Sequence, residues 1–462
     1  MKTDAASPIW KPLWDFFKHP LGSATLLILL ILFVHKPGYM SPDSFSIFNN
    51  ADRLDRLNFY HPPIMMWFFA IGKHMTPGSQ FGVLVTQTIL FVFAVTFLAT
   101  SLSQRRGRVT GFLWFFALFP PVFMTIGALW KSVWALSLLL IVIGLAARYI
   151  YEQKLSYLIY FGVMAFIAGL SRHDMAAPIG VILFWLLLSR LIQKNESFSL
   201  RRLAIATAAS LGVSLTIFVP YYVSLTSTND VLAKTSSYPS SVAMLHDIIS
   251  ISITTGDLSL LPPVITEMND EISVEDLRAG FSARTCMRML RLNNLPTDTN
   301  PYFWRRPEGD EDATEITDAW KNAVTMYPGA FLQSRWGVAQ SLWGLDNKVL
   351  LPFYFSIFRD APDIEKADRN INQTFRQYGE FMAYEVKIFH EQWIYMLASV
   401  LMFFYFLLLA KGPTRFVGMM TTSTGLIHFM VMSAAACSGD FRYAFLLVGT
   451  TLASAFILVA DR

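Results

Sequence analysis

The amino-acid sequence predicts an all-α polytopic membrane protein with about ten transmembrane helices. Of its 462 residues, 54% are hydrophobic and only 15% are charged, and the charges are missing from long runs. A soluble domain has about 25% charged residues, so this chain is short of charge. A membrane span needs about 20 apolar residues, and backbone inside lipid must be helical because every N–H and C=O needs a partner within the segment.

Ten uncharged runs define the predicted spans, and the shorter runs reach spanning length only with their flanking residues. These runs are Leu21–Val34, Phe81–Gln104, Val109–Trp130, Ser132–Ala147, Leu155–Ser171, Met175–Ser189, Leu203–Asn229, Gln392–Ala410, Phe416–Gly439 and Tyr443–Ala460. They predict an N-terminal transmembrane module over 1–229, with about seven spans, and a C-terminal module over 392–462, with about three.

Two long polar segments interrupt the spans: a first outer loop at 35–78 and an outer region at 230–391. Helical spacing in Ser273–Leu292 and Ala313–Leu345 predicts that the outer region is mainly helical, with a break at Pro328.

Positive charge in the short loops predicts the orientation of the chain. With the N-terminus inside, three cations fall in short outer turns and eleven in inner loops: Arg105, Arg106, Arg108, Arg148, Lys154, Arg190, Lys194, Arg201, Arg202, Lys411 and Arg415. The positive-inside rule then places both termini in the cytoplasm and the two long segments on the outer face.

The first outer loop contains the candidate for acid–base chemistry. Asp43 lies in Ser-Pro-Asp-Ser, beside Ser44, and a carboxylate near the membrane surface can accept a proton from a hydroxyl nucleophile. The alternative is that Asp43 caps a short helix, because this tetrapeptide is good helix-starting chemistry. Tyr60 and His61 precede a Pro-Pro pair; they are substrate-pocket candidates, although such a histidine more often bonds to loop backbone.

Each short outer turn contains one cation: Lys131, Arg172 or Arg442. A snorkelling side chain that anchors a helix end explains any one of them equally well. Three cations on the same side as Asp43, however, suit a phosphate leaving group and a hydroxyl nucleophile. Their polar neighbours are further pocket candidates: His173, Asp174 and Asp440.

Other functional classes have little support in the sequence. The net charge of +4 is too small and scattered to indicate nucleic-acid binding. Because there is no Gly-rich phosphate loop and no metal-ligand spacing, we expect neither a cofactor nor a metal. His428, in the middle of a predicted span, is interpreted as an interior histidine with a hydrogen-bond partner.

The order of several short motifs resembles one family over most of the chain. The motifs are Ser-Pro-Asp-Ser (41–44), His-Pro-Pro (61–63), a Pro-Pro kink (120–121), Leu-Trp-Lys-Ser (129–132), Ser-Arg-His-Asp-Met-Ala-Ala-Pro (171–178), Trp320 with Tyr327-Pro328 and Arg335, and Ser-Gly-Asp-Phe-Arg-Tyr (438–443). This order resembles the GT-C superfamily of membrane glycosyltransferases. It is similar, more narrowly, to bacterial enzymes of the serotype-converting type that modify O-antigen or related lipopolysaccharide glycans.

The resemblance implies a location, a donor and a set of roles. GT-C enzymes take a sugar from a polyprenyl-phosphate donor and act on the outer face, here the periplasmic side of a bacterial inner membrane. An acidic residue of the first outer loop acts as the base, which Asp43 matches best. The basic turn residues would bind the donor phosphate, namely Lys131, Arg172 and Arg442.

This chain departs from the pattern of many relatives at two positions. Ser44 follows Asp43 where relatives have an acidic pair, and Asp52 and Asp55 lie farther along the loop, so the identity of the base stays open. Ser132 stands where relatives have Asp, which argues against a metal-binding acid at that turn.

The function expected from these residues is inverting transfer of a hexose to a hydroxyl of a glycan or glycolipid acceptor. The alternative is a glycolipid transporter or flippase, although such proteins place ionisable residues near the bilayer midplane and often show internal repeats. A phosphoethanolamine transferase would want a zinc site, and an acyltransferase a buried catalytic histidine, for which His428 is a poor candidate.

Overall fold

The computed structural model describes residues 16, 19–51, 62–193, 201–212, 239–267, 272–283, 310–345, 377–378, 381–382, 385–437, 439 and 441–460. Over these residues the protein is all-helical, as the sequence predicts, and contains no strand. One isolated parallel bridge joins Tyr39 to Ala128.

Among the described residues, nine labelled helices precede residue 194. Labelled α1 to α9, they are Pro20–His35, Pro42–Asn50, Pro63–Met75, Phe81–Leu102, Arg106–Leu118, Pro120–Ile126, Lys131–Glu152, Leu155–Gly169 and Ala176–Gln193. A 3-10 turn, His173–Met175, joins α8 to α9.

Eight further labelled helices follow, five in the outer region and three at the C-terminal end. The outer helices α10 to α14 are Pro239–Thr255, Pro263–Thr266, Val274–Gly280, Asp310–Met326 and Pro328–Trp343. The last three, α15 to α17, are Gln392–Leu408, Gly412–Ala435 and Phe445–Val459. Short 3-10 turns at Lys387–His390 and Phe441–Tyr443 precede α15 and α17.

Within the described ranges, three helices, α4, α7 and α16, are long and apolar enough to cross a membrane. The pair α5 and α6 reaches that length together but bends by 69°. The bend follows from Pro120 and Pro121, because Phe119 before them takes an extended ψ of 125° that no α-helix contains. Six apolar helices of 10–17 residues accompany them. The seventh predicted span, 203–229, is described only as far as residue 212, in a helical segment.

The apolar helices pack around α7, which is buried along almost its whole length. Leu136, Leu139 and Val142 of α7 belong to one continuous buried cluster that also contains side chains of α4, α16 and α17. A helix that is apolar all round and covered by other helices is typical of the centre of a membrane bundle. The first residue of this central helix is Lys131.

A separate apolar cluster fixes α2 beside the start of α7. Ile47 and Phe48 of α2 pack with Phe69 of α3, and Leu129 and Trp134 flank Lys131 in the same cluster. All five side chains are at most 6% exposed. Burial of apolar area therefore holds the helix that contains Asp43 against the N-terminal end of the central helix.

The outer helices α10 to α14 have a buried core of their own, formed by side chains such as Ile248, Leu277 and Ile316. The predicted break at Pro328 is confirmed, since α13 ends at Met326 and α14 begins at Pro328. The prediction of one helix over Ser273–Leu292 is wrong in length. Ser273 and Asp276 form a capping box at the expected start, but α12 ends at Gly280, and 284–292 lie outside the described residues.

The contact between Gly127 and His35 gives a test of how the first loop is held. A methyl group on Gly127 would lie 2.9 Å from the His35 Cβ, an atom that cannot swing away without moving α1. We expect Gly127→Ala to destabilise the protein by about 1–3 kcal/mol. Gly111→Ala is the matched control, because nothing lies within 4 Å of the added methyl group. Thermal unfolding of both variants in detergent measures the difference, and equal melting temperatures would contradict the packing.

Candidate functional site

The chain between α1 and α2 is bonded to the segment that leads into α7. The N–H of Tyr39 donates to the Gly127 carbonyl at 2.9 Å, and the N–H of Leu129 donates to the Tyr39 carbonyl at 2.9 Å. The Ser44 hydroxyl then donates to the Leu129 carbonyl at 2.6 Å. These three bonds fix the start of α2 next to Lys131.

Asp43 lies in the first turn of α2, where the helix dipole favours a negative charge. The alternative that Asp43 caps this helix is wrong, because the cap is Ser41: its hydroxyl accepts the Ser44 N–H at 3.3 Å. The Asp43 carboxylate instead accepts a hydrogen bond from Arg442 Nη1 at 2.7 Å. Both side chains are about one quarter exposed, so solvent and a substrate have access to the pair.

Arg172 and Asp174 form a second ion pair at the turn between α8 and α9. Arg172 donates through Nε and Nη2 to the two carboxylate oxygens, at 2.8 and 2.6 Å, in the fork geometry that suits a carboxylate. Its Nη1 donates to the Ser132 hydroxyl, next to Lys131. His428 Nε2 lies 2.9 Å from Asp174 Oδ2.

The partners of Asp174 decide its charge. Burial works against ionisation, but the Arg172 guanidinium and the His428 hydrogen bond overcome it and hold the pKa of Asp174 well below its usual range. An ionised carboxylate with this low proton affinity is a poor general base. Asp174 is therefore suited to holding Arg172 in place.

Lys131 lies within electrostatic range of both ion pairs. It is half-buried, and Asp43, Arg442, Arg172 and Asp174 all lie close enough to act on its charge. Because Lys131 opens a 22-residue helix, its ammonium adds to the positive end of the helix dipole. Two sources of positive potential at one point favour an anion there.

The ring of Tyr443 contacts both arginines of the site. The Cζ atoms of Arg442 and Arg172 lie 5.2 and 5.9 Å from the centre of its ring. Cation–π attraction at such distances stabilises both side chains in one orientation. The ring therefore links the Asp43–Arg442 pair to the Arg172–Asp174 pair.

Of the predicted site residues, the structure brings six together: Asp43, Ser44, Lys131, Arg172, Asp174 and Arg442. Five other acids and pocket candidates lie outside the described residues: Asp52, Asp55, Tyr60, His61 and Asp440. His173 is described only as part of the turn after Arg172, without its side chain. In the part of the chain that the structure describes, no group of three His, Cys, Asp or Glu side chains is placed to hold a metal.

Sequence reasoning did not assign Ser132, Tyr443 or His428 to this site. Tyr443 adjoins Arg442, and Ser132 adjoins Lys131, so proximity in sequence was an available signal for both. The expectation of a hydrogen-bonded interior histidine at 428 is confirmed, but its partner is a site residue 254 positions away in the chain. No local pattern indicates that pairing.

The outer region contacts the turn that contains Arg442. Arg335 of α14 donates through Nη1 to the Ala436 carbonyl at 2.8 Å, just after α16, and through Nη2 to Asp247 of α10. The Trp320 indole also donates to Asp247, at 2.9 Å. Burial raises the pKa of the Asp247 carboxyl, although the Arg335 and Trp320 contacts oppose that rise.

Comparisons with known proteins add no relative to this description. No protein-family model matches the chain, and no match was found among curated proteins or solved structures.

The buried pair of Arg335 and Asp247 gives a test of how the outer region is held. Removing one partner of such a pair costs about 3–5 kcal/mol, so we expect Arg335→Met to lower the stability by that order. Lys321→Met is the control, because its pair with Asp318 is over 60% exposed on both sides, and such a pair is worth at most about 1 kcal/mol. Denaturant unfolding in detergent measures both.

The Arg335→Met variant also gives a prediction about how folding stability depends on pH. Without Arg335, the folded-state pKa of Asp247 rises further above its unfolded value, so folding takes up a proton. Stability must then fall as the pH rises through that window. We expect the deficit of Arg335→Met relative to the wild type to be larger at pH 8 than at pH 5; a deficit independent of pH would contradict the assigned ion pair.

Proposed function

We propose that this protein is an inverting glycosyltransferase of the GT-C type, which moves a hexose from a polyprenyl-phosphate donor to a hydroxyl of a surface glycan. The observation that supports it most is the contact of Asp43 with Arg442 at 2.7 Å, with Lys131 and Arg172 beside them. A partly exposed carboxylate and several cations at the outer end of apolar helices combine a base with a phosphate site.

The reaction needs one carboxylate. Asp43 removes the proton of the acceptor hydroxyl, and the oxygen attacks the anomeric carbon from the face opposite the phosphate. The bond between that carbon and the phosphate oxygen breaks, and its electron pair leaves with the lipid phosphate. A phosphate departs without a proton, whereas hydrolysis of a glycosidic bond requires a second carboxylic acid.

The cations divide into two roles under this proposal. Arg172 uses Nε, Nη1 and Nη2 on Asp174 and Ser132, so it supports the site more than it grips the substrate. Lys131 and Arg442 then make the principal contacts with the donor phosphate. Because Asp43 is bonded to Arg442, a phosphate that binds there competes with the carboxylate and frees it for the acceptor.

The wider setting belongs to the same proposal. About ten spans, with both termini in the cytoplasm, would place Asp43 on the periplasmic face of a bacterial inner membrane. The membrane would hold the polyprenyl chain, and the region 230–391 would shape the groove for an O-antigen or lipopolysaccharide acceptor. Aromatic side chains there could stack on sugar rings.

The central prediction concerns Asp43. In membranes supplied with a polyprenyl-phosphate hexose and acceptor glycan, we expect Asp43→Asn to lower the rate of sugar transfer about 10²- to 10⁴-fold, because the base is lost while the shape is kept. Glu275→Gln, an exposed acid of α12, is the control and should transfer normally. Mass spectrometry of the acceptor detects the added hexose.

Two outcomes of this assay would contradict different parts of the proposal. Near-normal transfer by Asp43→Asn would remove Asp43 as the base. The transporter alternative would be supported if labelled glycolipid crossed the membrane of proteoliposomes with no covalent change to any acceptor.

The competition for Arg442 gives a prediction about binding. The Asp43–Arg442 pair is about one quarter exposed, so solvent screens it, and such a screened pair is worth up to about 1 kcal/mol. Removing the Asp43 charge should therefore let Arg442 bind a phosphate about fivefold more tightly. Asp43→Asn should therefore bind polyprenyl phosphate more tightly than the wild type, and Arg442→Gln more weakly. Binding is measured by thermal shift or native mass spectrometry, and weaker binding by Asp43→Asn would contradict the competition.

A further inference from the structure

His428 is an ionisable side chain inside α16, one of the three candidate spans, and it is fully buried. Burying such a group in a membrane bundle is costly, which makes it a candidate for function. Its Nε2 lies 2.9 Å from Asp174 Oδ2. Since the ionised carboxylate can only accept, His428 Nε2–H is the donor.

A chain of hydrogen bonds leads from His428 to the phosphate site. His428 donates to Asp174, Asp174 accepts from Nε and Nη2 of Arg172, and Arg172 Nη1 donates to the Ser132 hydroxyl. Ser132 is the second residue of α7, next to Lys131. Each donor in this chain fixes the direction of the next group.

From this geometry we infer that His428 is a positioning residue for phosphate binding: it locks Asp174, through which it orients Arg172 and the first turn of α7. The inference rests on the proposed function, because the phosphate bound at Lys131 and Arg442 is that of the polyprenyl-phosphate sugar. His428 touches neither the substrate nor Asp43 in this assignment. Its effect passes through Asp174 alone.

Removing the His428 donor loosens a carboxylate that three N–H groups hold. When Arg172 is the one remaining hydrogen-bond donor to Asp174, the Asp174 carboxylate can rotate about χ2. The Arg172 guanidinium bonded to it then moves away from Ser132 and from the ring of Tyr443. The cost therefore falls on the affinity for the phosphate. The chemistry at Asp43, which has its own position on α2, is affected much less.

Two substitutions of similar polarity separate this role from simple packing. The side-chain amide nitrogen of glutamine reaches the position of His Nε2, whereas that of asparagine reaches only the position of Nδ1. His428→Gln therefore keeps the donor to Asp174, and His428→Asn loses it. Thr424→Val is the matched control, because Thr424 is equally buried one turn earlier and bonds to its own helix, at the Met420 carbonyl, 2.6 Å away.

The experiment uses the full chain in nanodiscs. Donor KM and kcat are measured by sugar transfer, and polyprenyl phosphate and inorganic phosphate are each titrated as ligands. A hydrogen bond to a charged group is worth at least a factor of about ten in an equilibrium. We expect His428→Asn to raise the donor KM about tenfold and to weaken both phosphate ligands by a similar factor, with kcat changed less than threefold. His428→Gln and Thr424→Val should stay within about threefold of the wild type.

Several results would overturn the inference. Equal KM for the sugar donor and equal phosphate affinity in His428→Asn and His428→Gln would show that the position of the hydrogen-bond donor at residue 428 does not matter. An equal loss in Thr424→Val would mean that packing explains the effect. A loss confined to polyprenyl phosphate, with inorganic phosphate unchanged, would assign the effect to the lipid chain.

Failure of the proposed function is distinguishable from these results. If the wild type binds polyprenyl phosphate but transfers no sugar, the glycosyltransferase proposal fails, and the phosphate titrations still decide the role of His428. If the wild type transfers sugar and the two His428 variants do not differ, the positioning role alone fails. A thermal melt of each variant confirms that the compared proteins are folded.

Discussion

The hydrogen bond between Asp43 and Arg442, 2.7 Å long, joins the first outer loop to the last outer turn, and the candidate site depends on it. The two residues belong to opposite ends of the chain, so the spans between them must pack correctly before the carboxylate and the guanidinium meet. The apolar cluster around Ile47 and Leu129 places the acid, and the turn before α17 places the cation. Charge pairing then sets the final geometry.

The site separates its two described carboxylates by their surroundings. Both carboxylate oxygens of Asp174 accept hydrogen bonds from Arg172, and one also accepts from His428, so Asp174 stays ionised and fixed. Asp43 is partly exposed and shares one bond with Arg442, a partner that a phosphate can attract. Under the proposed function, Asp174 therefore serves the architecture of the site, and Asp43 is available to an incoming hydroxyl. This division matches a reaction that needs one base and a place for one departing phosphate.

The sequence was sufficient for the all-helical class, the Pro-Pro bend and the break at Pro328, because each has a local cause: apolar runs, a missing N–H and a fixed φ. It also indicated which turns contain cations. The Ser-Pro order was also a local signal for Ser41 as the cap, with Pro42 as the first helical residue, although the expectation had placed the cap at Asp43. The sequence could not show that His428 would meet Asp174, since that contact depends on how α16 packs against the turn after α8. Contacts between distant segments are set by packing, which local patterns do not encode.

The number of membrane spans is another feature that local sequence patterns do not determine. Composition predicts ten runs, whereas three described helices reach spanning length alone and one bent pair reaches it together. Helices such as α1 and α15 are largely apolar but have only 16 and 17 residues. Hydropathy measures the apolar run, and the helix ends are decided by turn chemistry.

The proposed function depends on the binding of a lipid phosphate by Lys131 and Arg442, beside Asp43. Electron cryomicroscopy of the protein in nanodiscs with polyprenyl phosphate tests this binding directly. We expect phosphate density within hydrogen-bonding distance of Lys131 Nζ and the Arg442 guanidinium, with the polyprenyl chain running into the bundle. Phosphate density at any other place, with the bond between Asp43 and Arg442 unchanged, would contradict it.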